Sequence, residues 1–357
     1  MADNKLISIS EIFNNRFFRV PDFQRGYSWE WAQLYDFWND LINLKDEKIH
    51  YTGLLTVEQL NKKEVSEIEK WKDDLWLIES GLTPYYVIDG QQRITTVCIL
   101  INEILNLVGD SDINYNDKKY WNNKFLYKEY KDIYKSYIFG YEKDDPSDEF
   151  FKTKILGQAS SSSDKFPEQT VYTSNLEHSK KFFEEKLKLL DDVEIENIFK
   201  KVTNKLKFNF YEIDDELDVH VTFETMNNRG KKLSNLELLK NRLIYLTTLF
   251  DDEDEKRRVR KDINETWKTI YEYLGKNKKI PLNDDVFLKN HWIMYFEYSR
   301  KVSNIYAYYL LNSKFTTENI HNKSLTVVDI KEYIDSLSES IKSWFHIFNP
   351  SFSDYNE

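Results

Sequence analysis

The chain has 357 residues, of which 41% are hydrophobic and 16% aromatic. That is enough apolar material for two structural units, or for one domain with a large helical extension, built around an aromatic-rich core. Acidic side chains outnumber basic ones by 61 to 50, a formal net charge of −11; this opposes broad, non-specific DNA binding over the whole surface, while a local basic patch stays open. A single cysteine, Cys98, excludes an intrachain disulfide and a cysteine-based zinc cluster, and the six histidines show no metal-ligand spacing. No apolar run approaches the roughly 18 residues of a membrane helix, and MADNKLISIS is no signal peptide. The expectation is a soluble cytoplasmic protein with no membrane partner. Glycine is scarce, with nine in the chain, so Gly26, Gly90 and Gly230, each in a compact polar segment, are expected to mark special backbone geometry.

In chain order, residues 5–15 predict a short helix capped by Ser8 or Ser10. FFRV (17–20) is a strand ending at Pro21, and PDFQRGYSW (21–29) a loop. Glu30 to Leu44 carries Trp31, Leu34, Trp38 and Leu41 at helical spacing. YTGLLTVEQL (51–60) predicts a strand, 61–83 a charged loop or helical insertion, YYVI (85–88) a compact strand, and Ile94 to Leu107 an apolar helix. From 114 to 145 Tyr, Lys and Asp dominate, and GQASSSSDKFPEQT (157–170) has the composition of a flexible loop. Amphipathic helices follow at 176–204, then a strand at 207–213. Val219 to Met226 fits either strand or helix, and NNRGKK (227–232) is a loop. Ser234 and Glu237 form a capping box for a helix to Phe250, and 255–346 is helical throughout.

The fold class is therefore α+β: a small mixed core with a large, mainly helical extension. The expected divisions are a first core segment at 1–110, a helical and loop insertion at 111–204, completion of the core at 205–250, and a helical domain at 251–357.

Three segments carry chemistry. In VIDGQQRITT (87–96) a buried strand runs through Asp89-Gly90 into a helix. The first turn of a helix has free N–H groups and partial positive charge, which suits phosphate. Gly90 would let a ligand approach the backbone, Arg93 could fork onto a phosphate, Thr95 and Thr96 add hydroxyls, and Asp89 could hold Mg²⁺ or orient a water. A plain capping box between Asp89 and Gln92 explains the same pattern. What it leaves unexplained is three long polar residues, Gln91, Gln92 and Arg93, between a buried strand and an apolar helix. In RVPDFQRGYSW (19–29), Tyr27 and Trp29 with Arg25 could stack on a base and contact phosphate, or the rings could pack on the helix that follows. In FETMNNRGKKLSNLELLKN (223–241), Arg229, Lys231 and Lys232 cluster before a second capped helix start, which is either an anion site or a solvated turn. A P-loop sequence is absent.

Together these segments resemble the N-terminal domain of GmrSD-type, type IV restriction enzymes, a bacterial family of the ParB/sulfiredoxin-like superfamily. The resemblance rests on VPDFQRGYSW (20–29), YTGLLTVE (51–58), YVIDGQQRITT (86–96), FETMNNRGKKLSNLELLKN (223–241) and, more loosely, FLKNHWIMYF (287–296). It implies a small ParB-like core with a helical domain, and binding and hydrolysis of a nucleoside triphosphate with Mg²⁺, coupled to a nuclease that attacks modified or foreign DNA. Gln24 and Arg25 fall on its first motif, Asp89, Gly90, Gln91, Gln92 and Arg93 on its second, and Asn228, Arg229 and Gly230 on its third. The expected catalytic group is Asp89, Gln92 and Arg93, with Asp89 also on the metal. The expected nucleotide-binding set is Gln24, Arg25, Tyr27, Trp29, Gly90, Gln91, Thr95, Asn228, Arg229, Gly230 and Lys231. The implied partners are DNA, including modified or phage DNA, and an HNH-type nuclease domain or subunit, with a homodimer left open. WFHI (344–347) faintly echoes an HNH strand, but the chain stops too soon after it for the rest of that fold, so this chain alone is not expected to cut DNA. A fragment, a stand-alone subunit and a regulator all remain open, as does a different class of function: a ParB-like, nucleotide-gated DNA-binding switch with little hydrolysis.

Overall fold

A computed structural model describes residues 5–109, 111–131, 134–143, 146–159, 169–213, 233–250, 252–277, 282–296 and 298–350. The chain forms two compact units. The first comprises Met1–Asp22 and Gly26–Asp214, the second Phe23–Arg25 and Asp215–Glu357. The α+β class read from the sequence holds.

The first unit is organised by a six-stranded mixed sheet. Its strands are β1 (Lys5–Ser8), β2 (Arg16–Val20), β3 (His50–Gln59), β4 (Thr83–Asp89), β7 (Phe139–Tyr141) and β8 (Leu206–Ile213); β5 (Tyr127–Tyr130) and β6 (Tyr134–Tyr137) form a separate antiparallel hairpin. The sheet order is β1-β8-β3-β4-β2-β7. The β8–β3, β4–β2 and β2–β7 pairs are parallel, and β1–β8 and β3–β4 antiparallel. Strands buried on both faces lose the period-two alternation and read as apolar runs, which is why β2 presents the consecutive buried residues Phe17 and Phe18.

The helices of this unit are α1 (Ile9–Ile12), α2 (Trp31–Asn43), α3 (Lys62–Glu67), α4 (Leu75–Glu79), α5 (Gln91–Val108), α6 (Lys118–Phe125), α7 (Pro146–Phe150), α8 (Val171–Leu187) and α9 (Asp192–Lys200). The decisive one is α5. Ile94 through Leu105 are buried without a break, so the helix is enclosed on every side and packs against α6, α8 and α9. Burial of this stretch fixes the body of the helix from Ile94 onward.

The expected helix over 5–15 divides: Ser8 does cap it, but the helix is only α1, and the residues before it form β1 against β8. Phe139–Tyr141, inside the Tyr-rich stretch, adds an edge strand beside β2.

The second unit contains α10 (Asn235–Thr247), α11 (Glu253–Lys276), α12 (Asp284–Tyr295), α13 (Arg300–Ser303), α14 (Tyr306–Tyr309), α15 (Thr317–His321) and α16 (Val327–Phe348). The expected capping box is present: Ser234 Oγ accepts the Glu237 N–H, and the Glu237 carboxylate accepts the Ser234 N–H at 2.8 Å. The helices enclose their own core around Trp267, Trp292 and Tyr333, with α11 alongside α16. WFHI lies inside the 22-residue helix α16, so the echo of a nuclease strand is overturned: Trp344 and Phe345 are on a continuous amphipathic helix. Among the described residues no helix is long and apolar enough to cross a membrane.

Candidate functional site

β4 delivers Asp89 and Gly90 to the start of α5. Gly90 is the N-cap, in the left-handed region at φ 93°, and no side chain caps the helix there. A Cβ at Gly90 would come within 3.0 Å of both the Leu54 carbonyl oxygen and Leu55 Cδ1, so a larger residue is excluded by backbone conformation and by space. The start of an 18-residue helix that opens on a glycine, with no side-chain cap, gathers N-terminal N–H groups and positive potential at one point.

The side chains of the motif do unequal work. The Asp89 carboxylate is four-fifths buried, which raises its pKa, while Arg93 pulls it back; Asp89 Oδ2 lies 3.5 Å from Arg93 Nη2. Arg93 faces inward to β3, donating to the carbonyls of Thr52 (3.2 Å) and Leu54 (2.7 Å). Gln92 turns to the loop after β2: its Oε1 accepts the Ser28 N–H at 2.8 Å, and its Nε2 donates to the Gly26 carbonyl at 3.2 Å. The asymmetry explains the Gln-Gln-Arg run. Two of the three side chains hold backbone together around Gly90, and Gln91 stands at the first helical position.

Gly53 was missed by the sequence reading although it lies in the quoted YTGLLTVE block. It sits at φ 131°, where the β3–β8 register shifts, and a Cβ there would fall 1.7 Å from Arg93 Nη1. The scarcity of glycine was the available signal.

The loop aromatics are core residues. Tyr27 is fully buried, its hydroxyl 2.7 Å from Thr96 Oγ1 and 3.3 Å from Ser179 Oγ, and burial pushes the phenol well above its ordinary range. Trp29 packs on Phe37 with ring centroids 6.0 Å apart. Neither ring has a face open to a base, which corrects the stacking expectation in favour of packing. Thr95 is buried too, 3.4 Å from the Tyr141 hydroxyl, and offers nothing to a ligand.

Gln24 and Arg25 belong to the second unit. There Arg25 pairs with Glu237 (3.3 Å) and Asp284 (3.7 Å), both in the first turns of their helices. Lys240 donates to the Phe23 carbonyl at 2.8 Å. Asp285 accepts from the backbone N–H and the side chain of Asn235 at 2.6 and 3.1 Å. Burial raises the pKa of Glu237, and Arg25 opposes that rise. Asn228, Arg229, Gly230 and Lys231 lie outside the described residues.

A family model described as the GmrSD restriction endonuclease, N-terminal domain, matches residues 9–244. The chain belongs to this family. The match spans the loop after β2, the Asp89–Arg93 turn and the NNRG segment, so the three motifs lie inside one family domain and the helices from α11 onward lie beyond it. Membership makes the chain part of a restriction system. No curated protein matches it.

For Mg²⁺, the donor set is modest. Among the described residues no group of three or more His, Cys, Asp or Glu is arranged to hold a metal ion. Mg²⁺ commonly takes one or two carboxylates and draws its remaining oxygens from phosphates and water. A single buried carboxylate beside an anion-attracting helix start fits that requirement.

Proposed function

We propose that the first unit binds a nucleoside triphosphate with Mg²⁺ at the start of α5, and that its hydrolysis regulates an HNH-type DNA nuclease domain or subunit of the restriction system. The observation that carries this reading is the junction at Gly90: a long, immobilised helix opens without a side-chain cap, from a glycine, beside a buried carboxylate. Backbone amides there would receive phosphate oxygens, Asp89 would hold the metal or orient the attacking water, and a bound Mg²⁺ would supply charge neutralisation for the departing phosphate. A ParB-like relationship of the mixed core is part of the same reading.

The test is a thermal-shift screen with the four ribonucleoside triphosphates, with and without Mg²⁺, followed by measurement of phosphate release. A ligand at a hundred times its dissociation constant adds roughly 2.7 kcal/mol of stability. Stabilisation by one triphosphate with sustained phosphate release supports the proposal. Stabilisation without release would favour a ParB-like binding switch, and no stabilisation by any of the four would remove the nucleotide reading altogether.

A further inference from the structure

Arginine in a motif beside a helix start invites assignment as a phosphate ligand, yet three observations direct it elsewhere. The Arg93 guanidinium already forks onto two carbonyls of one strand, Thr52 and Leu54, at 3.2 and 2.7 Å. The seat exists only because residue 53 is glycine: any Cβ would lie 1.7 Å from Nη1, and the φ of 131° is one that L side chains rarely adopt. The Leu54 carbonyl that receives Nη2 is also the atom against which Gly90 closes, 3.0 Å from where a Cβ would be. One backbone oxygen of β3 thus meets both Arg93 and the N-cap of α5.

We propose that Arg93 is a positioning residue: seated on the Gly53 irregularity of β3, it locks the first turn of α5 against that strand and does not itself bind the ligand. Gly53 is then as much a part of the site as the motif residues, although it makes no contact with a ligand. The backbone amides at the start of α5 are useful to a phosphate only if they are already aimed, and a misplacement of the order of 1 Å is enough to lose much of such an advantage. Arg93 supplies that aim by joining the helix to the sheet through two charge-assisted hydrogen bonds. The inference rests on the nucleotide reading for its consequence, and on the geometry of β3 and α5 for its content.

The experiment compares Gly53→Ala, Arg93→Ala and the double variant. Hydrogen exchange in the unliganded protein tests the lock without any nucleotide. Faster exchange confined to the first hydrogen-bonded turn of α5, which opens with the Ile94 N–H on the Gly90 carbonyl, is expected in both single variants, with the rest of the helix protected as in the parent. Unchanged exchange at that turn in Arg93→Ala overturns the proposal, even if Gly53→Ala proves unable to fold. Affinity for the Mg²⁺-triphosphate that the parent binds best supplies the second readout. Each single variant should lose about tenfold, roughly 1.4 kcal/mol, and the double variant no more than either, because both act through one contact. If Arg93 is instead a ligand, Gly53→Ala retains affinity because its guanidinium is merely freed, and that result also overturns the proposal. Should the parent bind no nucleotide, the functional reading fails, while the exchange data still decide whether the lock exists.

Discussion

The Gln92 carboxamide and the Ser28 backbone are joined at 2.8 Å, across 64 positions of sequence, and the same side chain donates to Gly26. One glutamine therefore satisfies an N–H and a C=O of a loop that forms no ladder of its own, in a setting where Gly26 and Ser28 are buried. Gln92→Ala would leave both groups without this partner. We expect a loss of about 1–3 kcal/mol in urea unfolding. Gln92→Glu keeps the acceptor for Ser28 and should lose less. Equal stability of Gln92→Ala and the parent would show that water replaces the clamp and that Gln92 serves another purpose.

Tyr27 separates a packing role from a binding role. Its hydroxyl sits between Thr96 and Ser179 inside the core. Tyr27→Phe removes the hydroxyl and keeps the ring, so it should cost about 0.5–1.5 kcal/mol of stability and leave triphosphate affinity at the parent's level. A variant of normal stability that binds nucleotide several-fold more weakly would return Tyr27 to the ligand.

Much of this was legible in advance because local chemistry dictated it. The Ser234–Glu237 box needs only its own four residues, and the helical spacing of Leu34, Trp38 and Leu41 needs only one helix. The strands 17–20, 51–60, 85–88 and 207–213 announced themselves as apolar or alternating runs. What escaped the sequence was partnership. Nothing in Gln92 names Gly26 and Ser28, and nothing in Arg93 names Thr52 and Leu54, because both partners lie about 40 to 66 positions away. Periodicity shows which face of an element is apolar, and gives no account of which backbone a polar side chain will reach. The same limit hid β1 and β7, four and three residues long, whose existence depends on the neighbours they pair with. Tyr27 and Trp29 were open to two readings for a related reason: an aromatic beside an arginine looks the same whether its ring is covered or exposed.

Placing residues 344–347 in α16 has a direct consequence for nuclease activity. His346 lies in the last turn of a helix, where a basic residue complements the carbonyl end, and the surrounding helix has no strand partner. The purified chain should leave supercoiled plasmid intact in the presence of Mg²⁺, and His346→Ala should change nothing. Cleavage that disappears in His346→Ala would restore a nuclease role for this segment.

Acid should act with opposite sign through two buried groups, one in each unit. In the helical unit, burial lowers the pKa of His291 to about 4; its Nε2 is 3.1 Å from Ser336 Oγ, and its ring stacks with Tyr295. The unfolded chain takes up a proton near pH 6.5, the native unit only near 4, so the unfolded state binds more protons between these values. The His291 contribution to the stability of this unit should therefore be intact above pH 6.5 and fall by up to about 3 kcal/mol as the pH drops towards 4. In the sheet unit, burial pushes Asp148 up to about 6, with its partner Lys152 at 2.6 Å pulling the other way. Here the native state holds the proton longer than the unfolded one, so this group favours the fold below pH 4 and loses that contribution as the pH rises through 6. Native-state hydrogen exchange at pH 7 and pH 5 reads the two units separately. Protection in α12 and α16 should fall with acid, while the Asp148 contribution to α7 and its surroundings should rise. His291→Phe keeps an aromatic ring in the site and removes the titrating group, so α12 and α16 should then lose their sensitivity between pH 7 and pH 5. If the variant keeps the parent's acid dependence, the sensitivity of the helical unit comes from another group and the role given to His291 is wrong.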